Sequence, residues 1–252
     1  MILLDKAEIE RHLRRKNVEV LVFDVVTSTN DIVKKLILQG NRMDIREYLV
    51  AAEMQTAGRG RQGKSFYSPK GSGLYFTLAL RPENDDLTLI TSALAAAVSQ
   101  SIDEVCGVET QIKWVNDIYL GGRKICGILA ELIGGAVAAG IGINITTEDF
   151  PEELHGRAGS LGGSIDRNVL AAAIADAVFE LCGDIDGNAA EILAYCERRS
   201  CVIGREIEFT DGGVAYRARA VGLDEKGGLV VCTQAGERVL RGGEISVRSL
   251  GS

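Results

Sequence analysis

Histidine and metal-type cysteine spacing are what this chain has least of. It holds two histidines, His12 and His155, and six cysteines at 106, 126, 182, 196, 201 and 232, none of them in a Cys-x-x-Cys pair. That scarcity argues against a zinc site, and the thiols read as buried or half-buried in a reducing cytosol. There is no Gly-x-Ser-x-Gly elbow and no His-Glu-x-x-His run, which argues against catalysis by a nucleophile–histidine pair. The opening run MILLDKAEIERHLRRK is charged throughout and has no apolar signal core. The most apolar stretches, 89–98 and 169–182, are interrupted by polar residues and too short to cross a bilayer. The chain is therefore expected in the cytoplasm, with no membrane partner. Positive charge is also short: 28 basic against 35 acidic residues leave a net charge of −7. An acidic chain has no general attraction for nucleic acid, so no nucleic-acid partner is expected and any cationic cluster is dedicated to a site. No long internal repeat or low-complexity linker occurs.

What is present suits one large unit with a small appendix: 252 residues, 46% apolar and 25% charged. Residues 5–15 predict a short amphipathic helix, 18–26 a strand ending at Thr27-Ser28-Thr29-Asn30, and 31–39 a helix stopped by Gly40. Strands follow at 48–53 and 73–81, then an Ala-rich buried helix at 87–106. Four β runs, 110–115, 118–120, 124–133 and 136–145, are separated by Asn116-Asp117, Gly121-Gly122 and Gly134-Gly135, and predict an antiparallel meander. Helices return at 166–182 and 188–199. From about Cys201, short β runs alternate with glycine turns and predict a small barrel or sandwich, with the boundary near residue 200.

The string Gly58-Arg59-Gly60-Arg61-Gln62-Gly63-Lys64-Ser65 has the glycine spacing of a dinucleotide fingerprint and of a P-loop at once. Both patterns need a helix directly after them. Phe66-Tyr67-Ser68-Pro69-Lys70-Gly71 forbids one. The composition still asks for anions: residues 57–73 hold five Gly, four Lys or Arg and no acid. Glycines let backbone approach a ligand, and Arg59 and Arg61 share one side of an extended chain, where both can grip one phosphate. A plain solvated loop fits the same composition.

A second constellation is Lys113-Trp114-Val115-Asn116-Asp117, with Lys124 and Gly127 on the strand after the next turn. Asn-Asp is also ordinary turn chemistry, and Trp114 reads as core as readily as ligand platform. Alternatively, Asn116, Asp117 and Lys124 cluster at one rim, a carboxylate for magnesium beside a lysine for a substrate carboxylate. Activating a carboxylate with ATP needs cations and oxygen ligands rather than histidine.

At this point the chain resembles the biotin protein ligases, or holocarboxylase synthetases. The resemblance rests on Ser28-Thr29-Asn30, on Gln55-Thr56-Ala57-Gly58-Arg59-Gly60-Arg61, on residues 113–120, on Arg123-Lys124 with Gly127-Ile128-Leu129, on Gly140-Ile141-Gly142-Ile143-Asn144, and on 242–249. It spans nearly the whole length. It implies an α/β (α+β) fold: a mixed β-sheet with flanking helices, like class II tRNA synthetases and lipoate ligases, over residues 1–200, and a small SH3-like β-barrel over 201–252. It implies that biotin and MgATP give biotinyl-5′-AMP, and that a lysine of a biotin carboxyl carrier protein or domain of a carboxylase then takes the biotin.

By the resemblance, Ser28, Thr29, Asn30, Gln55, Gly60 and Gly127 line the biotin site, and Arg59, Arg61 and Lys124 serve both biotin and catalysis. Lys113, Trp114, Asn116, Phe66, Asn144 and Arg248 would serve the nucleotide, and Asp117 the Mg2+ ion. Gln62, Lys64, Phe66 and Val115 depart from common family choices (Arg, Arg, Trp and Pro), which bears on nucleotide affinity and loop ordering. The 27 residues before Ser28 are too few for a winged helix, so repressor activity is not expected. Homodimers are common in the family, but no stretch here identifies an interface. A lipoate or octanoyl ligase on the same fold, and a non-catalytic biotin-adenylate sensor, are the competing readings.

Overall fold

The computed structural model describes residues 3–39, 47–82, 86–211, 213–243 and 245–247. A seven-stranded sheet is built from β1 (Val18–Val26), β2 (Glu47–Gln55), β3 (Gly73–Leu80), β4 (Gln111–Lys113), β5 (Asp117–Leu120), β6 (Arg123–Ile133) and β7 (Ala136–Asn144), in the order β1-β2-β3-β7-β6-β5-β4. Only β1 and β2 pair in parallel, bridged by the helix α2 (Thr29–Gln39); every other pairing is antiparallel. The sheet is therefore mixed, as the resemblance implies.

Alternation along the central strands assigns the two faces. Leu74, Phe76 and Leu78 of β3 and Val137, Ala139, Ile141 and Ile143 of β7 join the main core. The helices α1 (Lys6–His12), α3 (Leu87–Cys106), α4 (Arg167–Gly183) and α5 (Ile185–Arg198) cover that face. Each of these helices begins at an aspartate whose carboxylate accepts a backbone N–H of the first turn: Asp5, Asp86, Asp166 and Asp184. On the opposite face α2 packs through Val33 and Ile37 onto Val50, Ala79, Ala136 and Ala138. It covers only part of that face, and the site occupies the remainder.

The C-terminal strands β8 (Glu206–Asp211), β9 (Val214–Leu223), β10 (Leu229–Thr233), β11 (Gly236–Leu240) and β12 (Ile245–Val247) form a five-stranded antiparallel sheet in the order β11-β10-β9-β8-β12. Its apolar residues enclose a second core, into which Trp114 and Val115 of the larger sheet insert.

Two local expectations change. Asn116-Asp117 is not the hairpin turn: residues 114–116 make the turn, and Asp117 is already a strand residue opposite Lys113. The reason lies beyond local propensity, because the buried Trp114 side chain belongs to the second core and fixes where the chain reverses. The cysteines are buried or half-buried except Cys232, which is exposed on β10. Among the described residues no helix is long and apolar enough to cross a membrane.

Candidate active site

The glycine loop after β2 closes on itself. Thr56 and Ala57 donate backbone N–H groups to Val26 and Thr27, Gly60 donates to Lys64, and Phe66 donates to Gly58, all at 2.7–2.9 Å. A single 3-10 turn, Arg61–Gly63, forms the tip, with Gln62 at φ 55° and Gly63 at φ 75°. Gly58 is required by this closure: a Cβ there would lie 2.4 Å from the Phe66 carbonyl oxygen. Its absent side chain thus serves the loop's own packing.

The tip also separates the two arginines expected to share one side. Arg59 reaches Asp31 on α2 at 3.0 Å, while Arg61 donates to Asn116 Oδ1 in the 114–116 turn at 2.9 Å. The 3-10 turn starting at Arg61 ends the extended conformation that alternation assumes, so the guanidiniums span the site instead of pairing.

Beneath the loop lies a cavity of about 280 Å³. Its floor is made by glycines. Phe66 lies over Gly142 and Gly127, where added Cβ atoms would come within 2.6 Å and 3.3 Å of its ring, and it meets Tyr75 edge to face at 6.3 Å. One end is neutral and hydrogen-bonding. The Gln55 side-chain oxygen accepts the Thr29 N–H at 2.9 Å and its amide donates to Ser68 at 3.0 Å. Ser28, Thr29 and Asn30 are all buried there. The other end is cationic: Lys124 Nζ lies 2.6 Å from an Asp117 oxygen, an ion pair off the axis of a good hydrogen bond. The Lys113 ammonium sits 5.7 Å from the centre of the Tyr119 ring. Burial, aided by the Asp117 charge, pushes the Tyr119 phenol up to about 12, so it stays protonated at neutral pH.

Most of the residues expected in the site meet around this one cavity: Ser28, Thr29, Asn30, Gln55, Arg59, Gly60, Arg61, Phe66, Lys113, Trp114, Asn116, Asp117, Lys124 and Gly127. Two placements differ from expectation, and a third residue has none to compare. Trp114 belongs chiefly to the second core, its indole N–H donating to the Gly227 carbonyl at 2.8 Å, so it is a tie between sheets more than a nucleotide platform. Asn144 is buried just outside the lining; its amide donates to Gly159 at 3.0 Å, and its Oδ1 has no partner among the described residues. Arg248 lies outside the described residues.

Sequence reasoning missed Tyr119, Arg157 and the β12 residues Ile245 and Ser246 in the lining. It also missed Asp31 and Glu131 behind it. The β6 pattern carried one signal for Glu131: an acid on the site-facing side of a mostly apolar strand.

For magnesium the cavity offers few protein donors. Among the described residues no group of three His, Cys, Asp or Glu forms a cage. Among the described residues Asp117 is the one carboxylate lining the cavity, and Lys124 holds it. The residues present fit an ion carried chiefly by a nucleotide's own phosphates, with the Asp117 carboxylate and the unpaired Asn144 oxygen as the available protein donors.

A partly covered sheet face with a neutral pocket at one end and several cations at the other defines an enzyme class: those that hold a small acid against a nucleotide. Comparison with known proteins narrows it. Residues 22–148 match the biotin/lipoate A/B protein ligase family, and residues 202–248 match the biotin protein ligase C-terminal domain. The chain belongs to the biotin/lipoate A/B protein ligase family. It is 31% identical over 242 residues to the bifunctional ligase/repressor BirA of Bacillus spizizenii, covering 89% of this chain and 72% of that protein. The biotin–[acetyl-CoA-carboxylase] ligase of Paracoccus denitrificans is 29% identical over 78% of this chain and 88% of its own length. The biotin protein ligase from Aquifex aeolicus in complex with biotin and ATP superimposes with a TM-score of 0.76 at 28% identity, over 91% of this chain and 98% of that one.

Proposed function

We infer that this chain is an ATP-dependent biotin protein ligase. It joins biotin to AMP and passes the biotin to a lysine of a carboxylase's biotin carrier domain. The observation that carries the reading is the two-ended cavity: a buried, uncharged hydrogen-bonding end within one pocket of a cationic end. The first suits a cyclic urea and the second a carboxylate facing a polyphosphate. The Aquifex relative, similar over most of both chains, binds the corresponding pair of molecules.

On this reading Ser28, Thr29, Asn30 and Gln55 hold the ring end of biotin, above the floor that Gly127 shares. Lys124 leaves Asp117 for the biotin carboxylate and follows the charge onto the α-phosphate as the new P–O bond forms and pyrophosphate departs. Arg59 and Arg61, fixed to opposite walls, keep the loop across the adenylate and exclude water from the mixed anhydride. Phe66 offers an aromatic face to the nucleotide, with Lys113 and Asn116 beside it. The carrier lysine's ε-amine then attacks the acyl carbon, forming the amide and releasing AMP. Magnesium supplies charge neutralisation on the phosphates. The net charge of −7 supports a chain that does not engage nucleic acid.

The test is direct. Incubation with biotin, MgATP and a carrier fragment should add one biotin mass to one carrier lysine. No mass gain would sink the reading, and a lipoyl gain in its place would move the chain to the lipoate branch of the family.

A further inference from the structure

Behind the neutral end of the cavity lies a chain of hydrogen bonds ending on a charge. Thr29 Oγ1 is 2.8 Å from Thr77 Oγ1, and Thr77 Oγ1 is 2.6 Å from Asn30 Oδ1. Asn30 Nδ2 is 2.9 Å from Glu131 Oε2 and 3.5 Å from the Leu129 carbonyl. Glu131 in turn holds Lys34 Nζ at 2.5 Å. Thr77, at the middle of the chain, is fully buried and outside the cavity lining, so water offers it no alternative partner. The Asn30 amide also lies against Gly140, where a Cβ would meet its oxygen at 2.1 Å.

The protons in this chain can be placed by elimination. Two acceptors, the Glu131 carboxylate and the Leu129 carbonyl, surround one end of the Asn30 amide, so that end is the NH2 and the other is the oxygen. An amide oxygen at 2.6 Å from Thr77 must receive the Thr77 proton. Thr77 then has only lone pairs left for Thr29, so the 2.8 Å contact takes the Thr29 proton. Gln55 Oε1, at 3.2 Å from Thr29 Oγ1, is the longer competitor and already accepts the Thr29 N–H. The Thr29 hydroxyl is left with lone pairs only, on a residue that lines the cavity.

We propose that Glu131, clamped by Lys34, is a positioning residue that fixes the proton order of the Asn30–Thr77–Thr29 chain and makes Thr29 Oγ1 an acceptor for a ligand N–H. The inference rests on the biotin reading and sharpens it. The cavity's neutral end would select a ring that donates there, as a cyclic urea does, and reject an isosteric ring that presents oxygen. Neutralising residue 131 removes the bias. An amide there accepts either orientation of Asn30, the chain can run in reverse, and the Thr29 proton can turn outward.

The experiment is calorimetric binding of biotin and of the two cyclic carbamates in which one ureido N–H is replaced by oxygen, to the wild-type chain, Glu131→Gln and Thr77→Val. The wild type should bind one carbamate about a hundredfold weaker than biotin, because two lone pairs then face each other in a buried site. In Glu131→Gln that penalty should fall below about tenfold, with biotin itself weakened by roughly tenfold. Thr77→Val breaks the chain at its middle and should lose the discrimination in the same way, which keeps the test open if one variant folds poorly. Equal weakening of all three ligands would reduce Glu131 to a structural prop and overturn the proposal, as would unchanged binding. A wild type that binds no biotin would overturn the functional reading itself, and that outcome is read from the wild-type arm alone.

Discussion

A methyl group at Gly142 would come within 2.6 Å of the Phe66 ring, and one at Gly127 within 3.2 Å of the Lys124 ammonium. Single missing carbons therefore set how deep the ring and the lysine sit. Gly142→Ala should cost about 1–3 kcal/mol through overpacking and lower the melting temperature; Phe66→Leu in the same chain should recover most of it. Lys124→Ala should abolish adenylate formation in single turnover, and an unchanged rate would remove Lys124 from the chemistry. Arg61→Ala should speed loss of the adenylate by about ten- to a hundredfold, the range for one charged hydrogen bond of ~1.5–3 kcal/mol. Glu131 titrates in the opposite sense to its burial. Burial raises its pKa, but the hydrogen bonds from Lys34 and Asn30, with the charges of Lys34 and Arg59, outweigh it and hold the carboxyl below its ordinary value. A depressed pKa in the folded state contributes stability above the unfolded value of about 4.3, and that contribution disappears as pH falls through the folded value. Between about pH 5 and 3 the wild type should therefore lose stability faster than Glu131→Gln, measured by urea unfolding. At this scale the sequence displayed the cations and the hydroxyl cluster, because charge and turn chemistry are local. It hid Glu131, whose meaning depends on Asn30 and Lys34 of α2 and Thr77 of β3, two other elements.

The elements themselves were largely legible. Near-continuous apolar runs mark β3 and β7, and aspartate caps or left-handed glycines bound the helices, as Asp86 and Gly107 do for α3. What alternation could not supply was the place where the chain reverses after β4. Asn116-Asp117 carries the local turn signal, yet the reversal falls one residue or more earlier because the Trp114 indole is committed to Gly227 in the other sheet. In the glycine loop, alternation placed Arg59 and Arg61 on one side, and packing instead makes a small self-closed hairpin whose arginines point to different walls. Trp114→Phe, which keeps the ring and removes the 2.8 Å hydrogen bond, should cost about 1–3 kcal/mol, since the Gly227 carbonyl is left buried. Unfolding followed by probes on each sheet should then separate into two transitions where the wild type shows one.

For the whole molecule, an acidic chain with a net charge of −7 concentrates cations at one cavity. Added salt should weaken ATP binding more steeply than biotin binding, since only the polyphosphate relies on several partly exposed charges. Equal salt slopes for the two ligands would count against the cationic end as the nucleotide's seat. The turn at 114–116 has a further consequence. Its Trp114 and Val115 reach into the small sheet's core while Asn116 and the adjoining Asp117 line the cavity, to which Ile245 and Ser246 of the small sheet also contribute. Both parts of the chain contribute to the cavity lining. Expressed separately, residues 1–200 and 201–252 should each be inert and regain activity only on reassembly. Fused to two other proteins, the halves would leave a covalent mark on a carrier wherever those proteins meet, so the enzyme would serve as a recorder of proximity.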